Sequence, residues 1–354
     1  MEKIEVSSYP IYLGGIDRSL SEILDWIKPS SLFILTDENT HHHCLPKLND
    51  ILRHVRHTVF QISHGEKHKN IKTCSEIWTA MTEATLDRKA TMINVGGGVI
   101  GDMGGFCAST YKRGISFIQI PTTLLSEVDA SIGGKLGIDF EGYKNHIGVF
   151  NDPAAVLIDP SFLDTLSDRE LRSGYAEIIK HSLIADGDDW KNLKQIHNLR
   201  NVDWTSVIRR SLEVKRKIVL EDPFEKNKRK LLNFGHTLGH AIESHHLDGD
   251  KPLLHGEAIS AGMVFESKLS SQYLALKENE LKDITDYIIS LYGPPDPLDM
   301  QSLIPIMKQD KKNSAGKISF SLLKSIGDSQ WDIMISEEEL MTLSDFLSKP
   351  FNTK

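Results

Sequence analysis

The amino-acid sequence predicts an α/β amino-terminal domain built on a parallel sheet, followed by an all-α carboxyl-terminal domain. In the first half, short apolar runs occur at 31–35, 91–95, 117–120 and 155–158. Such runs, separated by helical stretches, are typical of buried parallel strands covered by helices. In the second half, apolar residues recur with the 3.6-residue period of helices instead.

The domain boundary is predicted near residue 165, after the apolar run 155–158. Ser167 and Glu170 have the S-x-x-E spacing of a capping box, which places the start of a helix just beyond that boundary. We therefore expect an α/β domain at 1–165 and a helical domain at 166–354. Helical periodicity covers 175–184, 207–220, 236–245, 258–273 and 281–291.

Composition and charge narrow the class of protein. The chain has 354 residues, of which 40% are hydrophobic and 25% charged, as in globular proteins large enough for two domains. Its 41 Lys and Arg against 49 Asp and Glu give a net charge of −8, which offers no overall attraction to nucleic acid or to an anionic membrane. The three cysteines form no CxxC pair. We expect neither a signal peptide nor a membrane-spanning segment, because residues 1–15 lack a basic start followed by an apolar stretch and no long apolar run occurs. We expect a cytoplasmic enzyme without nucleic-acid or membrane partners.

A glycine-rich segment, GGGVIGD, runs from Gly96 to Asp102 directly after the apolar run 91–95. It matches G-x-G-x-x-G, a turn in which backbone N–H groups at the start of a helix can approach a pyrophosphate. The alternative is a turn that only redirects the chain. The acidic residue that usually binds the ribose about twenty residues later is absent. Asp37, just after the apolar run 31–35, is the candidate for that role, with a helix N-cap as its alternative.

Two histidines four residues apart, His236 and His240, indicate a metal site. Side chains at this spacing project from the same side of a helix, and His255 follows nearby in the sequence. A third protein ligand would leave a coordination position open for a substrate, which is typical of catalytic zinc. The alternative is a purely structural pair of histidines. The string is not the HExxH of a metalloprotease, because Thr237 occupies the position of the catalytic Glu.

Seven segments, taken together and in order, resemble the 3-dehydroquinate synthase family, and the resemblance covers nearly the whole chain. The segments are GGGVIGDMGGF, YKRGISFIQIPTTLLSEVDASIGGK, KNHIG, GYAEIIKH, LLNFGHTLGHAIE, LHGEA and DKKN. The resemblance implies an NAD-binding α/β domain, a helical metal- and substrate-binding domain, and commonly a homodimer. It also implies one divalent metal ion, usually zinc, with cobalt as an alternative.

The same resemblance implies that Glu177, His236 and His255 are the metal ligands. It moves His240 from ligand to a position beside the site, where it would contact substrate or phosphate. The alternative for Glu177 is a helix salt bridge to Lys180 or His181, which lie three and four residues further on.

Charged and polar residues that match the family's substrate-binding and catalytic positions are implied in the same way. The basic ones are Lys135, Lys144, Lys180, Lys215, Arg229 and Lys311, with Arg113 reaching across a dimer interface; their polar partners are Asn145, Asn233, Asp129 and Glu225. The alternative for Lys215 and Arg229 is a charged, solvated helix and loop. The positions that match the family's NAD site are Asp37, Asn39, Glu66, Lys69, Gly97, Gly98, Val99, Asp102, Thr122, Thr123 and Leu125.

The implied reaction converts 3-deoxy-D-arabino-heptulosonate 7-phosphate to 3-dehydroquinate and phosphate, in the shikimate route to aromatic amino acids. It combines transient oxidation by NAD, phosphate elimination, re-reduction and an intramolecular aldol closure. The alternatives are another sugar-phosphate cyclase, an iron-type alcohol or glycerol dehydrogenase, and an inactive homologue. Two positions depart from the family pattern: Leu136 replaces a common Thr, and Pro223 replaces a common acidic residue.

Overall fold

The computed structural model describes residues 1–6, 8–141, 143–246, 252–297, 299–308, 316–344 and 346. The chain divides into two compact units. The first contains 1–167 together with 204–209, and the second contains 168–203 together with 210–354. We call them the α/β unit and the helical unit.

Strands occur in both units, and most belong to one sheet of the α/β unit. Their bounds are β1 Glu2–Val6, β2 Tyr9–Leu13, β3 Leu32–Asp37, β4 His57–Ile62, β5 Thr91–Gly96, β6 Ser116–Pro121, β7 Lys135–Phe140, β8 Tyr143–Phe150, β9 Ala155–Ile158, β10 Lys317–Ser325 and β11 Asp328–Ser336. The seven-stranded sheet has the order β1-β2-β9-β6-β5-β3-β4. Within it, β1 and β2 pair antiparallel, and the pairs β2–β9, β9–β6, β6–β5, β5–β3 and β3–β4 are parallel. The predicted parallel sheet is therefore confirmed.

The central strands of the sheet, β3, β5, β6 and β9, are buried on both faces, which explains why they read as apolar runs. Phe33 and Leu35 of β3 pack in one hydrophobic cluster, and Leu32 and Ile34 pack in another. Successive side chains of a strand point to opposite faces, so a strand covered on both sides needs apolar residues at every position. A separate antiparallel hairpin of β7 and β8 completes the strands of this unit.

Helices follow the strands and dominate the second half. Their bounds are α1 Ile16–Ile27, α2 Glu38–His43, α3 Asn49–Leu52, α4 Ile71–Glu83, α5 Gly98–Thr110, α6 Asp168–Ala185, α7 Gly187–Leu193, α8 Trp204–Glu221, α9 His236–His245, α10 His255–Tyr273, α11 Glu278–Tyr292, α12 Met300–Met307 and α13 Glu337–Thr342. Short 3₁₀ segments cover Leu45–Leu48, Glu66–His68, Tyr111–Arg113, Pro160–Thr165, Leu199–Asn201 and Lys228–Asn233, and a π-helical turn covers Ser126–Ala130.

The helical unit is built as predicted, with one addition. Each helix expected from periodicity is present, and α9 has the predicted bounds. The description "all-α" missed the antiparallel hairpin of β10 and β11. Its apolar residues, such as Phe320 and Leu322, pack with Leu238 and Phe265 in the core of the unit. β10 is buried along most of its length, so it lacks the alternation of apolar and polar residues that would have indicated a strand. Among the described residues, no helix combines the length and apolar character needed to cross a bilayer.

Candidate active site

Three side chains from separate helices meet at one point of the helical unit. Glu177 lies in the middle of α6, His236 is the first residue of α9, and His255 is the first residue of α10. Oε1 of Glu177 lies 3.5 Å from Nε2 of His236 and 3.5 Å from Nε2 of His255. We call these three residues the imidazole–carboxylate cluster. Two imidazole nitrogens close to one carboxylate oxygen are a donor set that suits a divalent transition metal.

His236 is held in the form that can bind a metal. Its Nδ1 lies 3.1 Å from the carbonyl oxygen of Phe234. A carbonyl only accepts hydrogen bonds, so Nδ1 carries the proton and the lone pair of the neutral ring lies on Nε2. Burial, with a further contribution from the charge of Lys180, holds the pKa of His236 well below its usual value. The ring is therefore neutral at physiological pH.

His255 is held from its outer side by a second carboxylate. Its Nδ1 lies 3.5 Å from Oε2 of Glu243, which projects from α9 and is buried. Burial opposes protonation of His255, but the contacts with Glu177 and Glu243 outweigh it and raise the pKa to about 9. Two carboxylates thus favour positive charge at this point. A metal ion would occupy the place of that proton, as is common for histidine ligands backed by a carboxylate.

Lys180 contacts the other oxygen of Glu177. Its Nζ meets Oε2, and both side chains are fully buried. The helix salt bridge considered as an alternative for Glu177 is therefore present, but it coexists with the approach of Oε1 to the imidazoles. With His255 neutral, as a metal ligand must be, Glu177 and Glu243 carry two negative charges and Lys180 one positive charge, so a metal ion can replace the charge of the proton on His255. Since buried charge is costly unless it is balanced, the cluster suits an added cation.

His240 offers a second grouping of ligand atoms. One nitrogen from each of His236, His240 and His255 lies within 4.8 Å of the others. The ring of His240 is 5.0 Å from that of His236 and 5.6 Å from that of His255, measured between centroids. His240 is exposed, whereas Glu177 is fully buried. The geometry thus brings all four predicted residues together.

Arg229 is buried in the 3₁₀ segment that precedes α9, and Lys215 is buried on α8. The alternative of a solvated helix and loop is therefore wrong for these two residues. The loop 222–227 connects α8 to this 3₁₀ segment, and we call it the Asp222 loop. The carboxylate of Asp222 accepts hydrogen bonds from the backbone N–H groups of Lys226, Asn227 and Arg229. Burial opposes this charge, but these hydrogen bonds lower the pKa of Asp222.

Two further residues predicted as polar partners, Glu225 in the loop and Asn233 at the end of the 3₁₀ segment, are hydrogen-bonded to each other. Nδ2 of Asn233 donates to Oε1 of Glu225 at 2.7 Å. The carbonyl oxygen of Pro223, one of the departures from the family pattern, accepts a hydrogen bond from Nη1 of Arg229. Residues of the loop thus accept hydrogen bonds from both the backbone N–H and the guanidinium of Arg229.

In the α/β unit, the glycine turn (Gly96, Gly97 and Gly98) joins β5 to α5. Gly97 is the N-cap of α5, and a Cβ added to it would lie 3.1 Å from Cγ2 of Thr123. Thr122 follows β6, the neighbouring parallel strand, and its N–H donates to the carbonyl of Gly96. The turn therefore lies at the carboxyl edge of the sheet, and its glycine backbone forms the start of α5, as the phosphate-binding hypothesis requires.

Three more predicted residues of this unit form a hydrogen-bonded group. Nζ of Lys69 donates to Oδ2 of Asp102 at 2.7 Å and to Oδ1 of Asn145 at 2.6 Å. Lys69 is only 4% exposed, so its charge is balanced within the protein. Asn145 adopts φ of +49°, a left-handed conformation that Asn tolerates better than most residues. Asn145 thus lies with residues assigned to NAD, although its predicted role is catalytic.

The remaining predicted residues are spread more widely. Asp37 caps α2, with its side chain accepting the N–H of Thr40, so its alternative role as an N-cap is realised. Lys135, Asn39 and Arg113 are exposed, and Arg113 has φ of +69°. Lys311 and the DKKN segment lie outside the described residues. The other positions are Glu66 in a 3₁₀ turn, Val99 on α5, Leu125 and Asp129 around the π-helical turn, and Lys144 on β8.

Reasoning from the sequence missed two carboxylates that support the cluster, Glu243 and Glu266. Glu243 lies seven residues after His236 on the same helix, a spacing that places both on one face, so this signal was available. Glu266 contacts the backbone at the start of α9 and left no local signal.

Two sequence-family models match the chain. One, described as 3-dehydroquinate synthase N-terminal, matches residues 59–173, and the other, described as 3-dehydroquinate synthase C-terminal, matches residues 174–313. A curated 3-dehydroquinate synthase from Parabacteroides distasonis is 40% identical over 340 residues, which cover 95% of this chain and 96% of that protein.

Two solved cyclase structures share the fold. A 2-deoxy-scyllo-inosose synthase complexed with carbaglucose-6-phosphate, NAD⁺ and Co²⁺ superposes with a TM-score of 0.87 at 20% identity, covering 97% of this chain and 99% of that one. A 2-epi-5-epi-valiolone synthase from Streptomyces hygroscopicus with NAD⁺ and Zn²⁺ bound gives a TM-score of 0.83 at 27% identity, covering 98% of both chains.

Proposed function

Because the chain belongs to the 3-dehydroquinate synthase family, we propose that it converts 3-deoxy-D-arabino-heptulosonate 7-phosphate to 3-dehydroquinate and phosphate. The observation that carries the proposal is the convergence of Glu177 Oε1 on the Nε2 atoms of His236 and His255. A carbon–oxygen lyase of this kind works on a small phosphorylated keto-sugar acid, which a net-acidic protein must bind through local positive charge.

The cofactors we propose are NAD and one divalent metal ion, zinc or cobalt. Glu177, His236 and His255 would hold the metal, and the charge balance around them supports a cation there. When bound, the metal would acidify a substrate hydroxyl and NAD would accept and later return a hydride. The glycine turn, with Thr122, Thr123 and the group around Lys69, would hold NAD; the other residues proposed for it are Asp37, Asn39, Glu66, Val99, Asp102 and Leu125.

The protein's own side chains would bind and orient the substrate. Lys180 fixes the carboxylate of Glu177, since its ammonium meets Oε2 and leaves Oε1 facing the imidazoles. Arg229, held by the Asp222 loop and close in sequence to Asn233, suits the substrate's carboxylate. His240, exposed beside the cluster, suits its phosphate. Basic residues would stabilise the charge that develops as phosphate leaves. The other residues proposed for binding and catalysis are Lys135, Lys144, Lys215, Lys311, Asn145, Asp129, Glu225 and, across a dimer interface, Arg113.

We also propose the domain roles, the assembly and the location. Residues 1–165 would bind NAD, and residues 166–354 would bind metal and substrate. The protein would be a homodimer in the cytoplasm, as is common for the family. The net charge of −8 and the three unpaired cysteines are compatible with that location.

The direct test supplies the heptulosonate phosphate with NAD and Zn²⁺ and measures phosphate, dehydroquinate and NADH together. We expect phosphate and dehydroquinate in equal amounts with no net NADH, because the hydride is returned in each turnover. Net NADH would support an alcohol dehydrogenase instead. Turnover of a neutral sugar phosphate, with none of the heptulosonate phosphate, would support a different cyclase.

A further inference from the structure

Glu266, on α10, is hydrogen-bonded to the helix that begins with His236. Its side chain is fully buried. Oε2 accepts the backbone N–H of Gly235 at 2.6 Å, and Oε1 accepts the backbone N–H of Leu238 at 3.0 Å. Gly235 is the N-cap of α9 and Leu238 is its third residue. One carboxylate therefore accepts hydrogen bonds from the N-cap and from the third residue of α9, and His236 lies between these two residues in the sequence.

The start of α9 cannot be capped from its own sequence. Gly235 has φ of +80° and no side chain, and a Cβ added there would lie 2.5 Å from Cγ of Met263. The first N–H groups of a helix need acceptors, and the helix dipole favours a negative charge in that position. The start of α10 is different, because Glu257 of the same helix accepts the N–H of Leu254 at 2.8 Å. The cap of α9 thus comes from the neighbouring helix.

The backbones of α9 and α10 lie in close contact. A Cβ added to Gly262 of α10 would lie 2.0 Å from the carbonyl oxygen of Gly235. A Cβ added to Gly239 of α9 would lie 2.8 Å from Cδ1 of Ile259. This contact limits how closely the helices approach, and the two hydrogen bonds to Glu266 limit how far the start of α9 can move away. His255 begins the same helix that carries Glu266, so the position of α9 on α10 sets the distance between the two imidazoles.

We propose that Glu266 is a positioning residue for metal binding: by capping α9 from α10, it fixes His236 relative to His255. This inference rests on the metal site of the proposed function. A residue that orients metal ligands without touching the metal typically changes affinity by about 10–100-fold when it is replaced.

The test replaces the carboxylate by an amide, Glu266→Gln. The amide oxygen can accept one N–H, but the NH₂ group faces the second N–H as a donor, so one hydrogen bond is lost. We expect Zn²⁺ affinity, measured by competition with a chromophoric chelator, to fall about 10-fold or more. The visible spectrum of the Co²⁺-loaded protein should also change in band position or intensity, because the ligand geometry is altered.

Glu280→Gln is the matched control. Glu280, on α11 of the same unit, accepts the backbone N–H of Ile326 at 3.0 Å and has no part in the contact between α9 and α10. It should lower the thermal midpoint while leaving Zn²⁺ affinity and the Co²⁺ spectrum unchanged. Unchanged affinity and spectrum in folded Glu266→Gln would show that Glu266 only stabilises the helix, and the proposal would be overturned.

Glu266→Asp provides a second variant if the amide variant does not fold. It keeps the charge but shortens the reach, so we expect a smaller loss of Zn²⁺ affinity in the same direction. Wild-type affinity in Glu266→Asp would also contradict the proposal. Wild-type protein and His255→Ala are measured in parallel. If the wild-type protein does not bind Zn²⁺, or if His255→Ala binds it equally well, the proposed metal site is wrong. If the wild-type protein binds Zn²⁺, His255→Ala does not, and the Glu266 variants bind it as tightly as the wild type, only the positioning role of Glu266 is wrong.

Discussion

The imidazole–carboxylate cluster and the glycine turn are built in opposite ways. In the glycine turn, the backbone itself supplies the groups that would bind a phosphate, and the segment that forms it is continuous in sequence. In the cluster, side chains from α6, α9 and α10 converge. Two further carboxylates support the histidines, since Glu243 contacts His255 and Glu266 accepts hydrogen bonds from the start of α9. A backbone site depends on the absence of side chains, whereas a side-chain site depends on the packing that orients them. An added side chain should therefore impair the glycine turn, whereas loss of a side chain or of its supporting contacts should impair the cluster.

The largest expected effect comes from removing a ligand of the cluster. Glu177→Ala or His255→Ala should abolish turnover and weaken Zn²⁺ binding by more than about 100-fold, because a direct ligand contributes more than its outer partners do. The measurements are steady-state kinetics and chelator competition. Because His240 also lies close by, His240→Ala is the comparison. It should lower turnover but retain Zn²⁺, and the reverse ranking of His240 and Glu177 would assign the third ligand to His240.

The glycine turn should be sensitive to added side-chain volume. In Gly97→Val, the new side chain would crowd Thr123 and block the approach of phosphate to the start of α5. We expect the dissociation constant for NAD to rise about 10–100-fold, which corresponds to about 1.4–2.8 kcal/mol of binding free energy. Calorimetric titration with NAD measures this. Zn²⁺ affinity serves as the internal control and should stay unchanged, while a wild-type NAD affinity would remove the turn from the cofactor site.

A weaker effect is expected at Glu243, the outer partner of His255. Glu243→Gln keeps an acceptor for Nδ1 but removes the charge, so Zn²⁺ affinity should fall about tenfold. His245→Gln is the matched control, because it lies on the same helix and is exposed. Equal Zn²⁺ affinity in both variants would show that the contact with His255 does not support metal binding.

The smallest effect on activity is expected at Glu127, a buried carboxyl of the α/β unit. Glu177 lies beside Lys180 and two imidazoles, whereas Glu127 has no hydrogen-bond partner among the described residues. Burial, together with the charge of Asp159, raises its pKa well above 4.5. The folded state therefore binds the proton more tightly than the unfolded state, and stability declines as pH rises above about 4.5 towards the folded-state pKa.

Glu127→Met should remove this cost. A flexible apolar side chain of similar size needs no partner, so the variant should be more stable at about pH 7 by about 1–3 kcal/mol, and by less at about pH 5. Urea unfolding at the two pH values measures the difference. Glu83→Gln, at an exposed position, should leave the urea midpoint unchanged at both. A destabilised Glu127→Met at neutral pH would contradict this account.

Local pattern predicted the central strands of the sheet and the long helices of the second half, but not every element and not the contacts between elements. The period of the apolar residues predicted α9 with its observed bounds, and glycines after β5 predicted the turn to α5. The hairpin of β10 and β11 was missed, although its two strands are adjacent in sequence, because β10 is buried along most of its length and shows no alternation. The position of Asp37 directly after an apolar run was compatible with binding a ribose and with capping a helix. The structure shows the cap, because the Asp37 side chain accepts a hydrogen bond from the N–H of Thr40.

By itself, the sequence determined the α/β and helical halves, the glycine turn, the pair of histidines on one helix, and membership of a known family. Local backbone preferences and the period of burial act over a few residues, so they can be read directly. Only the tertiary structure decided that Oε1 of Glu177 faces both imidazoles while Oε2 faces Lys180, and that Glu243 and Glu266 support the histidines from behind. Apart from the Glu177–Lys180 pair within α6, these contacts join different helices, and the direction of a buried side chain depends on how the helices pack.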